Sequence, residues 1–149
     1  TLFLVGDNVR RHPELLEEIR RRGHSWGNHT MHHLQGFKTE RRRYMRDITE
    51  ADTLIDSPLF RPPHGLIRWS QAAAIKNHYN IVMYDLVTRD YSYKMTPDRV
   101  LANVRRYARN GSIIVFHDSL RAERNLREAL PAAIEWLKSQ GYEFLPIPM

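Results

Sequence analysis

Short apolar runs and amphipathic helical stretches alternate about five times along this chain, with no long linker or low-complexity segment between them. Apolar runs bounded by turn residues predict strands, and helical periodicity predicts helices. Repeated βα units favour a parallel sheet, either open or closed into a barrel, with the functional site at the carboxyl ends of its strands. We expect strands at residues 2–5, 24–28, 59–60, 81–84, 112–116 and 142–145, and helices at residues 12–22, 38–55, 70–79, 96–110 and 124–140.

Arginine is concentrated in two runs, at residues 20–22 and 41–43, and the chain carries a formal net charge of +6. A basic balance is compatible with nucleic acid or another anionic polymer as a partner. Both runs fall in predicted helices, where they fit a solvated face, and no nucleic-acid motif accompanies them. We therefore expect no nucleic-acid partner.

Cysteine is absent, which excludes disulfides, thiolate zinc sites and a cysteine nucleophile. No run approaches the roughly 18 apolar residues of a membrane span, so we expect none. The length of 149 residues predicts one domain. The chain opens at Thr1 on a strand-like segment, with neither a starting Met nor a visible signal peptide. We therefore expect a trimmed piece of a longer protein, and its compartment stays unknown.

Three histidines fall within the five residues His29-Thr30-Met31-His32-His33, directly after a predicted strand. In a helical turn, the spacing of His29 and His33 places both imidazoles on one face, within reach of one metal ion. Neutral imidazole is a common ligand of zinc and related ions, so the cluster points to a metal-assisted hydrolase. A histidine-rich surface turn without a function is the alternative.

Other polar groups follow the remaining predicted strands. The loop Arg61-Pro62-Pro63-His64-Gly65 is stiffened by two prolines and suits an arginine that holds a carboxylate, although an ordinary turn is the alternative. Asp85 and Asp90 flank a short loop, where an acid can orient a histidine or cap a helix. His117 ends a buried strand, which suits acid or base chemistry unless it is simply satisfied by a carbonyl.

Taken in order, these motifs resemble the polysaccharide deacetylase family, which is also called the chitooligosaccharide deacetylase homology domain or carbohydrate esterase family 4. Residues 29–33 match its H-[ST]-x-x-H motif, and residues 61–65 match its R-x-P-x-G motif. Asp90-Tyr91 matches its D-W motif with Tyr in place of Trp, and residues 115–117 match its L-x-H motif with Val in place of Leu. The resemblance covers nearly the whole chain.

The resemblance implies an α/β fold, a distorted (β/α) barrel of the deacetylase type, and metal-dependent hydrolysis of N-acetyl groups on an amino-sugar polymer or oligomer. It implies His29 and His33 as ligands of a divalent ion, with zinc expected first and cobalt, nickel or manganese as alternatives. His117 would be the general acid, Asp90 would orient it, and Arg61 would fix a base carboxylate. The implied walls of the acetyl pocket are Tyr91, Val115 and Pro63.

The family's first motif, T-F-D-D, supplies a base and a metal-ligand aspartate, and this chain contains no such motif. We therefore expect residues 1–149 to form a single catalytic domain that lacks its first βα unit and binds metal weakly. Exposed sheet edges at residues 2–5 and 142–145 would then permit self-association. A non-catalytic glycan-binding domain and a hydrolase of a non-sugar amide or cyclic imide are the alternatives. The family suggests a cell-envelope or extracytoplasmic location.

Overall fold

A computed structural model describes all 149 residues, whose backbone contacts divide into two compact units. The first unit comprises residues 1–83 and 146–149, and the second comprises residues 84–145. None of the helices combines the length and the apolar character needed to cross a membrane.

The first unit is built on a four-stranded parallel sheet with the order β1-β2-β3-β4. Its strands are β1 (Leu2–Leu4), β2 (Trp26–Asn28), β3 (Leu59–Phe60) and β4 (Asn80–Ile81). Its helices are α1 (Gly6–Arg11), α2 (Pro13–Arg21), α3 (Arg41–Ile55) and α4 (Trp69–Ile75), and short 3₁₀ turns span Gly36–Lys38 and Pro63–Gly65.

The packing of β1 against β2 is close at a glycine. Phe3 lies opposite Gly27, and a Cβ atom added at Gly27 would lie 2.5 Å from the Phe3 ring. A larger residue at this position would therefore force the Phe3 ring to move. The neighbouring residue Asn28 is fully buried at the carboxyl end of the strand.

Helix α3 contributes four residues to the two apolar clusters of this unit. Its buried positions recur at helical spacing, as expected for an amphipathic helix, and comprise Tyr44, Asp47, Ile48, Ala51 and Ile55. One cluster of the core packs Ala51 and Ile55 with Met31, and another packs Tyr44 and Ile48 with Phe60. The carboxylate of Asp47 is the polar exception on this face.

The second unit pairs two short parallel strands, β5 (Leu86–Val87) and β6 (Ile114–Val115), and contains the helices α5 (Pro97–Tyr107) and α6 (Glu123–Ser139). The hydroxyl of Thr96 caps α5 by accepting the backbone N–H of Arg99 at 3.4 Å, as the Thr-Pro start predicts. The two helices pack together through a core that includes Val104, Ala133 and Leu137.

The predicted final strand at residues 142–145 is wrong. Gly141 has a φ of +82°, and the Tyr142 backbone N–H donates to the Leu137 carbonyl at 3.1 Å. Gly141 and Tyr142 therefore complete the C-terminal cap of α6, and residues 142–145 join no sheet. The expectation that residues 142–145 form an exposed sheet edge fails with it.

Two elements were missed. Residues Gly6–Arg11 form α1, whereas the Gly-Asp-Asn sequence at its start predicted only a turn. Strand β5 is only two residues long and has polar residues on both sides, so its sequence pattern predicts a loop. Pairing with β6 determines β5, and that information is not local.

Candidate functional site

The histidine segment, residues His29–His33, leaves the carboxyl end of β2 in a strained loop. Thr30 and His33 have φ values of +66° and +56°, which are uncommon for residues other than glycine and most unusual for a β-branched residue such as Thr30. The rings of His29 and His33 have centroids 5.0 Å apart and planes inclined by 63°. The two imidazoles that the spacing predicted as partners are therefore neighbours.

The tautomer of His29 follows from a single contact. Its Nδ1 lies 2.6 Å from the backbone carbonyl of Arg61. Because a carbonyl only accepts hydrogen bonds, Nδ1 must carry the proton, and Nε2 keeps its lone pair in the neutral ring. Metal-ligating histidines commonly donate their second nitrogen to a carbonyl in this way.

The carboxylate of Asp47 holds the middle of the histidine segment. It accepts the backbone N–H groups of Met31 at 2.9 Å and His32 at 3.1 Å, and it lies 2.6 Å from His32 Nδ1. The hydrogen bond to Asp47 raises the pKa of His32 above its usual range. His32 itself points half into solvent, so its imidazole is a contact of the carboxylate rather than a member of the His29–His33 pair.

Arg61 and the loop that follows it border the same histidines. The Arg61 side chain is 9% exposed, its Nε donates to the Val82 carbonyl at 3.1 Å, and its guanidinium lies 4.0 Å from the Phe3 ring centroid. Pro63 is buried. His64 has a φ of +60°, and its ring centroid lies 4.9 Å from that of His33. The guanidinium donates to backbone carbonyls, and its predicted role in holding a carboxylate stays a prediction.

In the second unit, Asp90 and His117 form a close pair. Asp90 is fully buried, its Oδ1 lies 2.7 Å from His117 Nδ1, and its Oδ2 accepts the His117 backbone N–H at 2.7 Å. The Asp90 carbonyl accepts a hydrogen bond from Asn125 Nδ2 at 2.7 Å. The contact between Asp90 and His117 that the motifs predicted is present, and it leaves Nε2 of His117 for other chemistry.

The predicted pocket residues of this unit lie beside that pair. The Tyr91 ring packs edge-on against His117, with centroids 4.8 Å apart, and Tyr91 is 38% exposed. Val115 is buried in β6, two residues before His117. Their roles as walls of an acetyl pocket stay predictions.

The residues present fit a divalent ion only in part. Two neighbouring imidazoles, one with its Nε2 lone pair fixed, suit an ion of the zinc class. No group of three or more His, Cys, Asp or Glu side chains has an arrangement that could hold a metal ion. The chain thus supplies two candidate ligands, His29 and His33.

Three residues that contact the proposed site residues have no role in the sequence predictions. Asp47 and Asn125 are polar residues on the buried faces of helices α3 and α6, and that placement is a sequence signal that could have found them. His64 belongs to a recognised motif, but its contact with His33 depends on backbone geometry that no local pattern encodes.

The first unit carries an imidazole pair and the second unit carries a His–Asp pair. The family model for polysaccharide deacetylases matches residues 1–82, more than half of the chain. The chain therefore belongs to the polysaccharide deacetylase family, as its motifs predicted.

Two relatives match along almost all of the chain. A peptidoglycan-N-acetylglucosamine deacetylase of Bacillus cereus is 29% identical, over 99% of this chain and 72% of that protein. A chitooligosaccharide deacetylase of Bradyrhizobium sp. is 27% identical, over 99% of this chain and 76% of that protein. The chain spans 56% of a second Bacillus cereus deacetylase. These relatives are carbohydrate N-deacetylases, which are hydrolases.

Solved structures confirm the predicted fold class. The Bc1960 peptidoglycan N-acetylglucosamine deacetylase superposes with a TM-score of 0.89 and 28% identity, over 98% of this chain and 72% of that one. The BA3943 pseudoenzyme of carbohydrate esterase family 4 from Bacillus anthracis has a TM-score of 0.84 at 24% identity, over 95% of this chain and 51% of that one. Because a pseudoenzyme shares the fold, the fold alone does not establish catalysis.

Proposed function

We propose that the protein hydrolyses N-acetyl groups of an amino-sugar polymer or oligomer, of the peptidoglycan or chitin kind, and that it requires a divalent metal ion. The observation that carries the proposal is the pairing of His117 with the buried carboxylate of Asp90 at 2.7 Å. A buried carboxylate fixes the orientation of an imidazole and stabilises its protonated form, which is what a general acid needs.

Each residue has a distinct proposed role. A divalent ion held by His29 and His33 would polarise the acetyl carbonyl and lower the pKa of a bound water. We take zinc as that ion, with cobalt, nickel or manganese as alternatives, because imidazole suits borderline ions. His29 keeps its Nε2 lone pair directed away from its Nδ1 contact with the Arg61 carbonyl. Arg61 is proposed to position a carboxylate base of the kind that the family's T-F-D-D motif supplies, a motif that residues 1–149 do not contain.

The leaving amine must gain a proton as the amide bond breaks. His117 donates Nδ1–H to Asp90, so the proton that it gives to the amine comes from Nε2. Asp90 keeps the ring in place. Tyr91, Val115 and Pro63 are proposed as substrate-binding residues for the acetyl group, because apolar side chains suit its methyl.

Acetate release from N-acetylglucosamine oligomers and from N-acetylated peptidoglycan tests the proposal. With zinc added, His117→Ala should lower kcat by about 10²–10⁴, the usual scale of general acid catalysis. His78→Ala is a matched control, because His78 is an exposed histidine outside both clusters. Absence of acetate from the unmodified protein on every substrate, or normal turnover by His117→Ala, would contradict the proposal.

A non-catalytic glycan-binding function is the second candidate. It is favoured by the absence of a three-residue metal-ligand group in the structure. Isothermal titration with N-acetylglucosamine oligomers separates the two candidates, because this alternative predicts binding without acetate release under any metal condition.

We also propose that β1 permits self-association. In the sheet order β1 pairs with β2 alone, so its other side is an edge, and its three apolar residues are only half-buried. Edge strands of this kind pair readily with other chains. Size-exclusion chromatography with light scattering should show a concentration-dependent dimer, and a strict monomer at high concentration would exclude this contact.

A further inference from the structure

The buried carboxylate of Asp47 is aimed at the backbone of the histidine segment. Asp47 is 5% exposed, and its two oxygens together contact Met31 N, His32 N and His32 Nδ1 at 2.6–3.1 Å. Its carboxylate pairs with the His32 imidazole. Burying a carboxylate in this way is costly unless hydrogen bonds compensate, and here all of the compensation comes from the segment that carries His29 and His33.

The segment needs such a restraint, because its backbone is strained at both ends. Thr30 and His33 hold positive φ values, a conformation that persists only where the surroundings impose it. The buried side chain of Asn28 gives a second restraint: its Oδ1 accepts Thr30 N–H at 2.8 Å, and its Nδ2 donates to the Ile48 carbonyl at 3.0 Å. Asp47 and the Ile48 carbonyl are adjacent on α3, so this one helix holds the segment at two points.

The position of Asp47 on α3 argues against a role in packing alone. The other buried positions of this helix are Tyr44, Ile48, Ala51 and Ile55, all of which contribute to apolar clusters. An apolar residue would fill that face at a lower cost of desolvation. The presence of a carboxylate at this buried position is therefore explained by the backbone amide and imidazole groups that it binds.

We propose that Asp47 is a positioning residue that holds the histidine segment in the conformation in which His29 and His33 bind one metal ion. The inference rests on the proposed function, because it takes those two histidines as the ligands. Asp47 itself touches neither metal nor substrate. It acts through the backbone N–H groups of Met31 and His32, which lie between the two proposed ligands. Its loss should therefore change metal affinity without removing a ligand.

Zinc affinity of the full-length protein, measured by isothermal titration calorimetry, tests this inference. Asp47→Ala removes all three contacts and should raise the zinc Kd about 10–100-fold, the usual effect of losing a group that orients metal ligands. Asp47→Asn keeps one acceptor oxygen and should give a smaller increase. Asp52→Asn is the matched control, since Asp52 lies on the same helix and bonds to Tyr79, away from the segment.

Two further readouts separate positioning from simple loss of stability. Amide hydrogen exchange at Met31 and His32 should accelerate in Asp47→Ala while exchange in the second unit is unchanged. Saturating zinc should restore most of the kcat of Asp47→Ala, and the KM for the glycan should not change. If Asp47→Ala does not fold, Asp47→Asn and His32→Ala carry the test, because His32 is half-exposed and its loss removes only one contact.

The outcomes distinguish this inference from the proposed function. If the unmodified protein binds zinc, His29→Ala abolishes that binding, and the folded Asp47 variants bind it as tightly as Asp52→Asn, the positioning role is overturned and the deacetylase proposal stands. If the unmodified protein shows no zinc binding that depends on His29, both are overturned. Weaker zinc binding in the Asp47 variants alone supports the positioning role.

Discussion

Replacing Asp90 with asparagine should lower catalytic turnover much more than it lowers folding stability. Asp90 is fully buried, and its carboxylate accepts hydrogen bonds from His117 Nδ1, His117 N and Tyr91 N at 2.7–3.1 Å. An amide side chain has one acceptor oxygen, so at least one buried donor loses its partner, and an unsatisfied buried donor costs about 1–3 kcal/mol. We expect Asp90→Asn to fold with a free energy of unfolding reduced by about that amount.

The same substitution should impair turnover far more than stability. The amide is neutral, so it cannot stabilise the protonated ring as a carboxylate does, and wherever its NH₂ group faces Nδ1 it holds His117 in the other tautomer. We therefore expect kcat for acetate release to fall by about 10²–10⁴, the range typical of general acid catalysis. The assay is acetate release from N-acetylglucosamine oligomers with zinc added, alongside urea denaturation of the same samples.

Asp85→Asn is the matched control for this experiment. Asp85 belongs to the same loop region and accepts hydrogen bonds from Ser112 and Ile113, but it has no contact with His117. It should lose stability and keep its kcat. Near-normal kcat in a folded Asp90→Asn variant, or an equal loss of kcat in both variants, would refute the role given to the His117–Asp90 pair.

Three further outcomes are expected. Gly27→Ala should lower the free energy of unfolding by about 1–3 kcal/mol, because its Cβ would overlap the Phe3 ring, and an unchanged urea midpoint would contradict this. Partial burial raises the pKa of Asp85, but hydrogen bonds from Ile113 N–H and the Ser112 hydroxyl lower it overall. The destabilisation by Asp85→Asn should therefore be fully present above about pH 4, the unfolded value, and disappear as the pH falls through the lower folded pKa in acid denaturation curves. Arg61→Lys should lose the two hydrogen bonds to backbone carbonyls after β4 and destabilise the first unit by about 1–3 kcal/mol, whereas a wild-type melting temperature would show that these contacts contribute little.

The parallel α/β class and the site motifs could be read from the sequence because each depends on local patterns. Strand β3 was predicted at its observed bounds, and α3 and α6 were predicted to within a few residues, since apolar periodicity and capping residues are local signals. The contact of His117 with Asp90 followed from two motifs at strand ends.

The errors arose where tertiary contacts override local pattern. The apolar residues at 142–145 predicted a strand, but their backbone completes a helix cap, and Leu145 is 82% exposed. Strand β5 exists only because β6 lies beside it. The role of Asp47 depends on a loop sixteen and fifteen residues earlier in the chain, at Met31 and His32. Contacts between residues that are far apart in the chain cannot be predicted from the local pattern of a single sequence.

His29 and His33 are proposed to support metal-dependent hydrolysis of N-acetyl groups. The most direct measurement is acetate release from N-acetylglucosamine oligomers by the full-length protein after chelation and again after reloading with zinc. We predict no acetate after chelation, recovery on reloading, and no recovery in His29→Ala or His33→Ala. Glycan binding without acetate release in the zinc-loaded protein would contradict the claim and favour the non-catalytic function.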